Sequence, residues 1–164
     1  MSKSMIILII VSTFFGALFW YFGGQDIQNE IPYYLKKATA KTTTIAVREV
    51  IIDAEVVETP SAQQRGLSGR EGLSGNRGML FPFAEAGEHS ITMRGMLFSI
   101  DILWIHEGKI VHMVDDALQP KDSAEPAVYT PPVPSTYVLE ANNYFIQESG
   151  AAVGDFVALG LTQE

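Results

Sequence analysis

Residues 89–113 read HSITMRGMLFSIDILWIHEGKIVHM, and this stretch decides the fold because it has the pattern of a β-hairpin. Apolar side chains recur on both sides of Glu107-Gly108, a pair suited to a two-residue turn. We therefore predict strands over Phe98–His106 and Lys109–Val114. Asp101 is the unexpected residue, because it is an acid in the most apolar part of the stretch.

The predicted turn sets a register in which Asp101 and His112 are diagonal neighbours on one face of the hairpin. In this register Leu103 faces His112 and Asp101 faces Val114, which separates the acid and the histidine by about 7–8 Å at the backbone. Arg94, seven residues before Asp101, is a second candidate partner. A buried carboxylate needs hydrogen bonds or an opposite charge. Asp101 is therefore either a structural group or part of a pocket for a polar ligand.

The rest of the domain alternates short strands with turn residues, a pattern typical of a small barrel. We predict a mainly β (α+β) fold, a small closed or half-closed β-barrel with two short helices. Besides the hairpin, the predicted strands cover residues 45–58 (as one strand or two), Met79–Phe83, His89–Arg94, Thr136–Ala141 and Gly154–Leu161.

Both helices are predicted from their capping residues. The first should cover Ser61–Leu67, because Thr59 can cap it and proline suits the first helical position. The second should cover Asn142–Ser149, capped by Asn142 and ended by Gly150. The segment Gln119–Ser135 holds five prolines and is expected to be an irregular surface loop.

The N-terminal part of the chain has the composition of a membrane anchor. Met5–Phe22 reads MIILIIVSTFFGALFWYF, 18 residues without a charge. As a helix it would be about 27 Å long, close to a bilayer core of about 30 Å. Lys3 precedes it, and Asp26 and Glu30 follow it, so the positive-inside rule places the N-terminus in the cytoplasm.

This segment divides the chain into three parts. Residues 1–22 are predicted as a retained anchor or uncleaved signal, with a cleaved signal peptide or a buried core helix as alternatives. Residues 23–44 form a polar linker, and residues 45–164 form one domain. We expect a single-pass protein of the cytoplasmic (inner) membrane whose domain faces the extracytoplasmic or periplasmic side.

Charge and composition exclude several classes of protein. The net charge is −8, and the first 44 residues have four lysines against two acids, so the predicted domain carries all of the negative excess. Such a balance argues against nucleic-acid binding, which requires cations against phosphate. The chain has no cysteine, and its three histidines lack a zinc-binding spacing. We therefore predict neither a metal nor a cofactor.

Five motifs in order connect the chain with a known family. They are QQRGLSGRE, RGMLFPF, ITMRGMLFSIDILWI, YVLE and GAAVGDFVAL. Together they resemble the prokaryotic domain of unknown function 192 (DUF192) family, also called uncharacterised protein family 0127, over about residues 50–160. Relatives usually carry FWMKNT where this chain has ITMRGM, so the aromatic pair, the amide and one hydroxyl are absent here. The arginine at the lysine position keeps the charge and adds a fork suited to carboxylates.

The resemblance implies a compact, mainly β domain, often exported or anchored, without an established activity. It assigns family-motif positions to this chain, and most of them are expected to be structural. The expected structural positions are Gly66, Leu67, Gly78, Met79, Phe81, Gly154 and Asp155.

Three functions remain open from the sequence. The first is binding of a small polar ligand, such as a sugar or an envelope fragment, in a cleft near Arg94, Asp101 and Arg70. The second is a hydrolase that uses Asp101 with His112 or Arg94. The third is binding of an envelope partner through the acidic surface or the proline-rich loop. The candidate ligand-binding residues are Arg70, Met93, Arg94, Asp101, His112 and Glu140.

Overall fold

The computed structural model describes residues 41–121 and 125–160. The predicted anchor over residues 1–22 and most of the linker lie outside these ranges. No helix in the described ranges combines the length and apolar character that a membrane crossing requires. The first strand already includes Thr42, which belongs to the predicted linker.

One strongly curled sheet forms the frame of the domain. Its strand order is β6-β5-β8-β3-β2-β1-β9, and every pairing is antiparallel except that of β2 with β3. The strands are β1 (Thr42–Val47), β2 (Val50–Val56), β3 (Arg77–Gly87), β5 (Ile100–His106), β6 (Lys109–Ala117), β8 (Ser135–Asn142) and β9 (Val157–Leu159). A second, two-stranded sheet pairs β4 (Ile91–Thr92) with β7 (Val128–Tyr129).

The two edge strands of the large sheet meet at one end. Lys109 and Phe156 form an isolated antiparallel bridge, and the Val157 amide donates to the Gly108 carbonyl at 2.9 Å. Arg48 in the β1–β2 turn also pairs with Asp155, with Nε and Oδ2 2.6 Å apart. The predicted small barrel with two short helices is thus found as a half-barrel, closed locally at this end.

Alternating side chains of the sheet supply two separate hydrophobic cores. The inner core holds Leu103, Ile105 and Leu139, and helix α2 (Phe145–Ser149) packs into it. The outer core holds Ile102, Trp104 and Val138. Because these residues alternate along β5 and β8, each strand is buried on both faces. Segments between β2 and β5, including helix α1 (Pro60–Arg65), cover the outer face.

The β5–β6 hairpin confirms the predicted turn but not the predicted register. His106 pairs with Lys109 as expected, and Glu107 and Gly108 both have positive φ, as this tight turn requires. Beyond Ile105 the register shifts by one residue at Val111, so Trp104, not Leu103, faces His112. A one-residue bulge turns the following side chains to the other face. The predicted proximity of Asp101 and His112 is therefore wrong.

The first helix confirms its predicted cap, whereas the second does not. Thr59 Oγ1 accepts the Ala62 amide at 3.3 Å. Asn142 still belongs to β8, and its side-chain amide donates to the Ser74 and Gly75 carbonyls. α2 begins three residues later than predicted, and its Ile146 amide donates to the Asp101 carboxylate at 2.8 Å. A residue distant in sequence therefore supplies the cap.

Other element boundaries also differ from the predictions. β3 continues through Pro82, which pairs with Tyr137, to Gly87, and its pairing with β8 is irregular between these two residues. The expected strand His89–Arg94 is reduced to β4. The loop Gln119–Ser135 is not wholly irregular, because β7 lies in it and pairs with β4. The last strand is shorter than Gly154–Leu161.

Candidate ligand-binding site

A cleft opens on the outer face of the sheet, above β3 and β8. Its volume is about 670 Å³, within the range of roughly 300–1,000 Å³ typical of small-molecule sites. The end of α1 and the segment after it form one wall, and β4 with the segment after it forms another. The lining residues are Gln63, Gln64, Arg65, Gly66, Leu67, Ser68, Phe81, Phe83, Ser90, Ile91, Thr92, Arg94, Gly95, Met96, Val128 and Glu140.

Glu140 is the buried acid of the cleft. It lies on the central strand β8, between Met79 of β3 and Ile102 of β5. Only 5 % of the residue is exposed, and its Oε2 has no hydrogen-bond partner among the described residues. Gly66 lies directly above, since a Cβ built on it would be 3.9 Å from that oxygen. The carboxyl group therefore has an unused hydrogen-bonding atom at the floor of the cleft.

Burial raises the pKa of Glu140 to about 8, because a charged carboxylate loses its hydration there. The positive charge of Arg70 acts in the opposite direction and lowers the pKa, but less strongly. Glu140 is thus protonated at neutral pH. A protonated carboxyl group can both donate and accept a hydrogen bond.

Arg70 is held next to Glu140 by a second buried acid. Its Nη1 and Nη2 bind Glu55 Oε1 and Oε2 at 2.9 and 2.8 Å, a forked charge-assisted pair. Glu55 on β2 and Glu140 on β8 both pair with Met79 on the strand between them. Both acids therefore project from one face of the sheet, with Arg70 lying against them.

Two short hydrogen bonds hold the walls of the cleft together. Ser68 Oγ donates to the Arg94 carbonyl at 2.8 Å, and the Gly69 amide donates to the Gly95 carbonyl at 2.8 Å. Gly95 has φ 71°, and a Cβ there would lie 3.2 Å from Ser68 Cβ. A glycine suits both the backbone conformation and the close approach of the two segments.

Arg65 and Arg94 bring two positive charges to the cleft. Arg65 is the last residue of α1, and Arg94 follows β4. Both residues are exposed, and neither guanidinium forms an ion pair within the described part of the chain. The cleft thus combines two exposed cations with a buried neutral acid.

Asp101 lies outside the cleft and makes structural contacts. It is fully buried, Oδ1 accepts the Asp116 amide at 2.9 Å, and Oδ2 accepts the Ile146 amide at 2.8 Å. Asp116 belongs to a second bulge of β6 and has φ 52°. Burial raises the pKa of Asp101, and these two hydrogen bonds partly oppose that effect. Asp101 thus joins the bulge to α2, and Arg94 is not its partner.

The other predicted site residues are divided between the cleft and its surroundings. Arg94 and Glu140 line the cleft, and Arg70 acts on Glu140 from beside it. Met93 is fully buried in the outer core, and the His112 ring lies against Trp104 with centroids 5.2 Å apart. Neither of these two residues is a lining residue.

The family-motif residues predicted as structural have identifiable roles. Leu67, Met79 and Phe81 are buried in the outer core. Gly78 lies where a Cβ would be 3.0 Å from the Glu140 carbonyl oxygen and 3.1 Å from Ile52 Cδ1. Asp155 accepts the Ala152 amide at 2.9 Å and pairs with Arg48, and these contacts hold its pKa below the usual value.

Sequence reasoning missed most of the apolar wall. Phe83 and Val128 lie on strands that are far apart in the chain, and they contribute to the cleft only after folding. Arg65 and Gly66 carried a signal, because both belong to the QQRGLSGRE motif. Within residues 41–121 and 125–160, no cluster of histidine, aspartate and glutamate has the arrangement of a metal site.

The curled sheet, the two helices and the outer cleft define a mainly β domain of the half-barrel type. Residues 41–159 match the DUF192 family, described as Uncharacterized ACR, and the chain belongs to this family. The resemblance inferred from the five motifs is thereby confirmed. No curated protein matches the chain.

Two solved structures share the fold. One is a protein from Sinorhizobium meliloti described as a proposed transcription regulator, with a TM-score of 0.66 and 24% identity over 74% of this chain and 97% of that one. The other is a protein of unknown function from Novosphingobium aromaticivorans, with a TM-score of 0.61 and 22% identity over 71% of this chain and 84% of that one. At these identities the likeness concerns the fold alone.

Proposed function

We propose that the domain binds a small polar ligand, such as a sugar or a cell-envelope fragment, in the outer-face cleft. The observation that carries this proposal is the unpaired Oε2 of Glu140 at the cleft floor. Burying a polar group without a hydrogen bond is costly, and buried groups of this kind are usually satisfied by a partner. A ligand hydroxyl or amide at this oxygen would remove that cost.

The walls of the cleft suit the faces of a sugar ring. Phe83 and Val128 offer partly exposed apolar surface, and Gly66, which has no side chain, lies above Glu140. Binding sites for small molecules combine such apolar walls with a few polar groups that fix orientation. The hydroxyl-bearing residues Ser90 and Thr92 line the same cleft and are exposed.

A thermal-shift screen tests the proposal. Neutral sugars, N-acetylated sugars, sugar acids and envelope fragments at millimolar concentration would be tested on the wild-type protein and on Glu140→Gln. We expect at least one compound to raise the Tm of the wild type and to raise that of Glu140→Gln less. Glu49→Gln, an exposed carboxyl in the β1–β2 turn, should respond like the wild type. No stabilisation by any compound would contradict the proposal.

The contacts of Asp101 and the position of His112 do not favour a hydrolase. Both oxygens of Asp101 are occupied by backbone amides, and His112 lies on the other face of the hairpin. Binding of an envelope partner stays a prediction. Part of the proline-rich loop belongs to the ligand site, since β7 pairs with β4 and Val128 lines the cleft.

We further propose that the domain is anchored in the cytoplasmic membrane with its cleft on the extracytoplasmic side. The support is the uncharged segment Met5–Phe22 and the charges that flank it. Fractionation of cells that produce the full chain would test this. We expect the chain in the membrane fraction and accessible to protease from outside the membrane. Recovery in the soluble cytoplasmic fraction would contradict it.

A further inference from the structure

The two exposed guanidinium groups of the cleft indicate what kind of ligand it takes. Arg65 and Arg94 reach it from two separate segments, and neither is paired with an acid in the part of the chain that the structure describes. Arg48 and Arg70, in contrast, form ion pairs with Asp155 and Glu55. A guanidinium binds a planar carboxylate through two parallel hydrogen bonds. An arginine without an acidic partner is therefore suited to bind the carboxylate of a ligand.

The polar groups of the cleft lie at different depths. Arg65 and Arg94 are exposed, whereas Glu140 is buried and its Oε2 is unpaired. Phe83 and Val128 contribute partly exposed apolar surface to the same cleft. A matching ligand carries an anionic group toward solvent, an apolar ring face, and a neutral hydrogen-bonding group at its buried end.

We propose, on the basis of the function proposed above, that the ligand is a sugar acid whose carboxylate binds Arg65 and Arg94 and whose hydroxyl meets Glu140. The net charge of −8 would repel an anion over long distances. At physiological salt, however, charges are screened beyond about 8 Å. The two nearby guanidinium groups therefore dominate the interaction within the cleft.

The protonation state of Glu140 fits an acidic ligand. Its pKa is raised to about 8 by burial, so the carboxyl group is neutral at pH 6.5 and does not repel an anion. The charged group that acts on it is Arg70, which is held by Glu55, whereas Arg65 and Arg94 line the same cleft. At pH 9 Glu140 is ionised, and we expect the affinity for a sugar acid to fall.

Isothermal titration of the full chain in a neutral detergent would test the inference with three probes. These are glucuronate, glucose and glucose 6-phosphate, at pH 6.5 and pH 9. We expect glucuronate to bind most tightly at pH 6.5 and more weakly at pH 9. In Arg65→Gln and in Arg94→Gln its Kd should rise at least about tenfold. Lys121→Gln, which removes a charge outside the cleft, should bind like the wild type.

The possible outcomes separate this inference from the proposed function. Equal binding of glucose and glucuronate, or binding that survives both arginine substitutions, would overturn the sugar-acid inference and leave the ligand cleft standing. Preference for glucose 6-phosphate would overturn it in favour of a phosphorylated ligand. Binding of none of the three probes would overturn it, and the broader compound screen would then decide the proposed function. Glucuronate affinity in Glu140→Gln should not change between pH 6.5 and pH 9, and a fall equal to that of the wild type would also count against the inference.

Discussion

Two buried acids of this domain differ in what their oxygen atoms contact. Asp101 accepts one backbone amide with each oxygen, from the β6 bulge and from α2. Glu140 has one oxygen without a partner among the described residues, and that oxygen lies at a cleft. A buried polar group whose hydrogen bonds are complete contributes to stability, whereas an incomplete one beside a cleft has a hydrogen bond left to make with another molecule.

Replacing Asp101 by asparagine should destabilise the domain. The amide group of asparagine can accept only one of the two backbone hydrogens and presents its own N–H to the other. We expect the free energy of unfolding to fall by about 2–3 kcal/mol, measured by urea unfolding. Asp116→Asn, at an exposed left-handed position where asparagine is tolerated, is the control and should change it by less than about 0.5 kcal/mol. Equal effects of the two substitutions would contradict the structural role.

Glu140 should make the stability of the domain depend on pH. The ordinary pKa of glutamate is 4.5, whereas that of Glu140 in the fold is about 8. Between these values the folded state holds a proton that the unfolded state has released, so stability falls as the pH rises. The slope is at most about 1.4 kcal/mol per pH unit. Urea unfolding between pH 5 and pH 8 should show this fall in the wild type and a weaker one in Glu140→Gln. If the free energy of unfolding changed with pH in the same way in both proteins, Glu140 would not be the cause of the fall.

The sequence identified some of these residues but not their relations. Glu140, Arg94 and Arg70 are candidates from the sequence, and the structure places them in or beside the cleft. Asp101 is a candidate for the same site, because no side-chain pattern reveals that its partners are backbone amides. One of those amides belongs to Ile146, 45 residues away along the chain.

At the scale of elements, bulges explain why the hairpin was only partly predictable. The Glu107-Gly108 turn could be predicted because only a few residues suit its backbone conformation. The shift at Val111 has no comparable sequence signal, yet it reverses the face of the residues that follow it up to Val114. The second bulge, at Asp115 and Asp116, depends on the Asp101 carboxylate for one of its hydrogen bonds.

Packing between strands should make Gly78 intolerant of a side chain. A Cβ at Gly78 would lie 3.0 Å from a backbone oxygen of β8, which cannot move without disturbing the sheet. We expect Gly78→Ala to lower the free energy of unfolding by about 1–3 kcal/mol. Gly75→Ala, where nothing lies within 4 Å of the added carbon, should cost less than about 0.5 kcal/mol. Similar costs for both in urea unfolding would show that the strands are less closely packed.

At the scale of the whole molecule, the barrel class was predictable and the cleft was not. Short strands, turn residues and capping signals all favour a mainly β domain with two helices, which agrees with the seven-stranded half-barrel. The cleft forms between α1, β3, β4 and β7, whose contacts depend on how the sheet curls. The local closure between Lys109 and Phe156 likewise joins segments that are distant in the chain.

The charge network under the cleft joins Glu55 on β2 and Glu140 on β8 through Arg70, and it should set the pKa of Glu140. Arg70 lowers the pKa of Glu140 and is itself held by Glu55. Arg70→Gln removes the cation and leaves Glu55 without its forked partner, so both effects disfavour a second negative charge nearby. We expect the pKa of Glu140 to rise above the wild-type value in this variant, measured by carbon-13 NMR. An unchanged or lower value would show that Arg70 does not act on the cleft acid.

The most direct measurement is the pKa of Glu140 itself in the wild-type protein. Carbon-13 NMR of the side-chain carboxyl carbons, assigned by comparison with Glu140→Gln, would follow its ionisation between pH 4 and pH 10. We predict a midpoint near 8, because the carboxyl group is buried without a full set of hydrogen bonds. A midpoint near 4.5, the ordinary value for glutamate, would show a hydrated carboxylate and would contradict the buried neutral acid on which the ligand cleft depends.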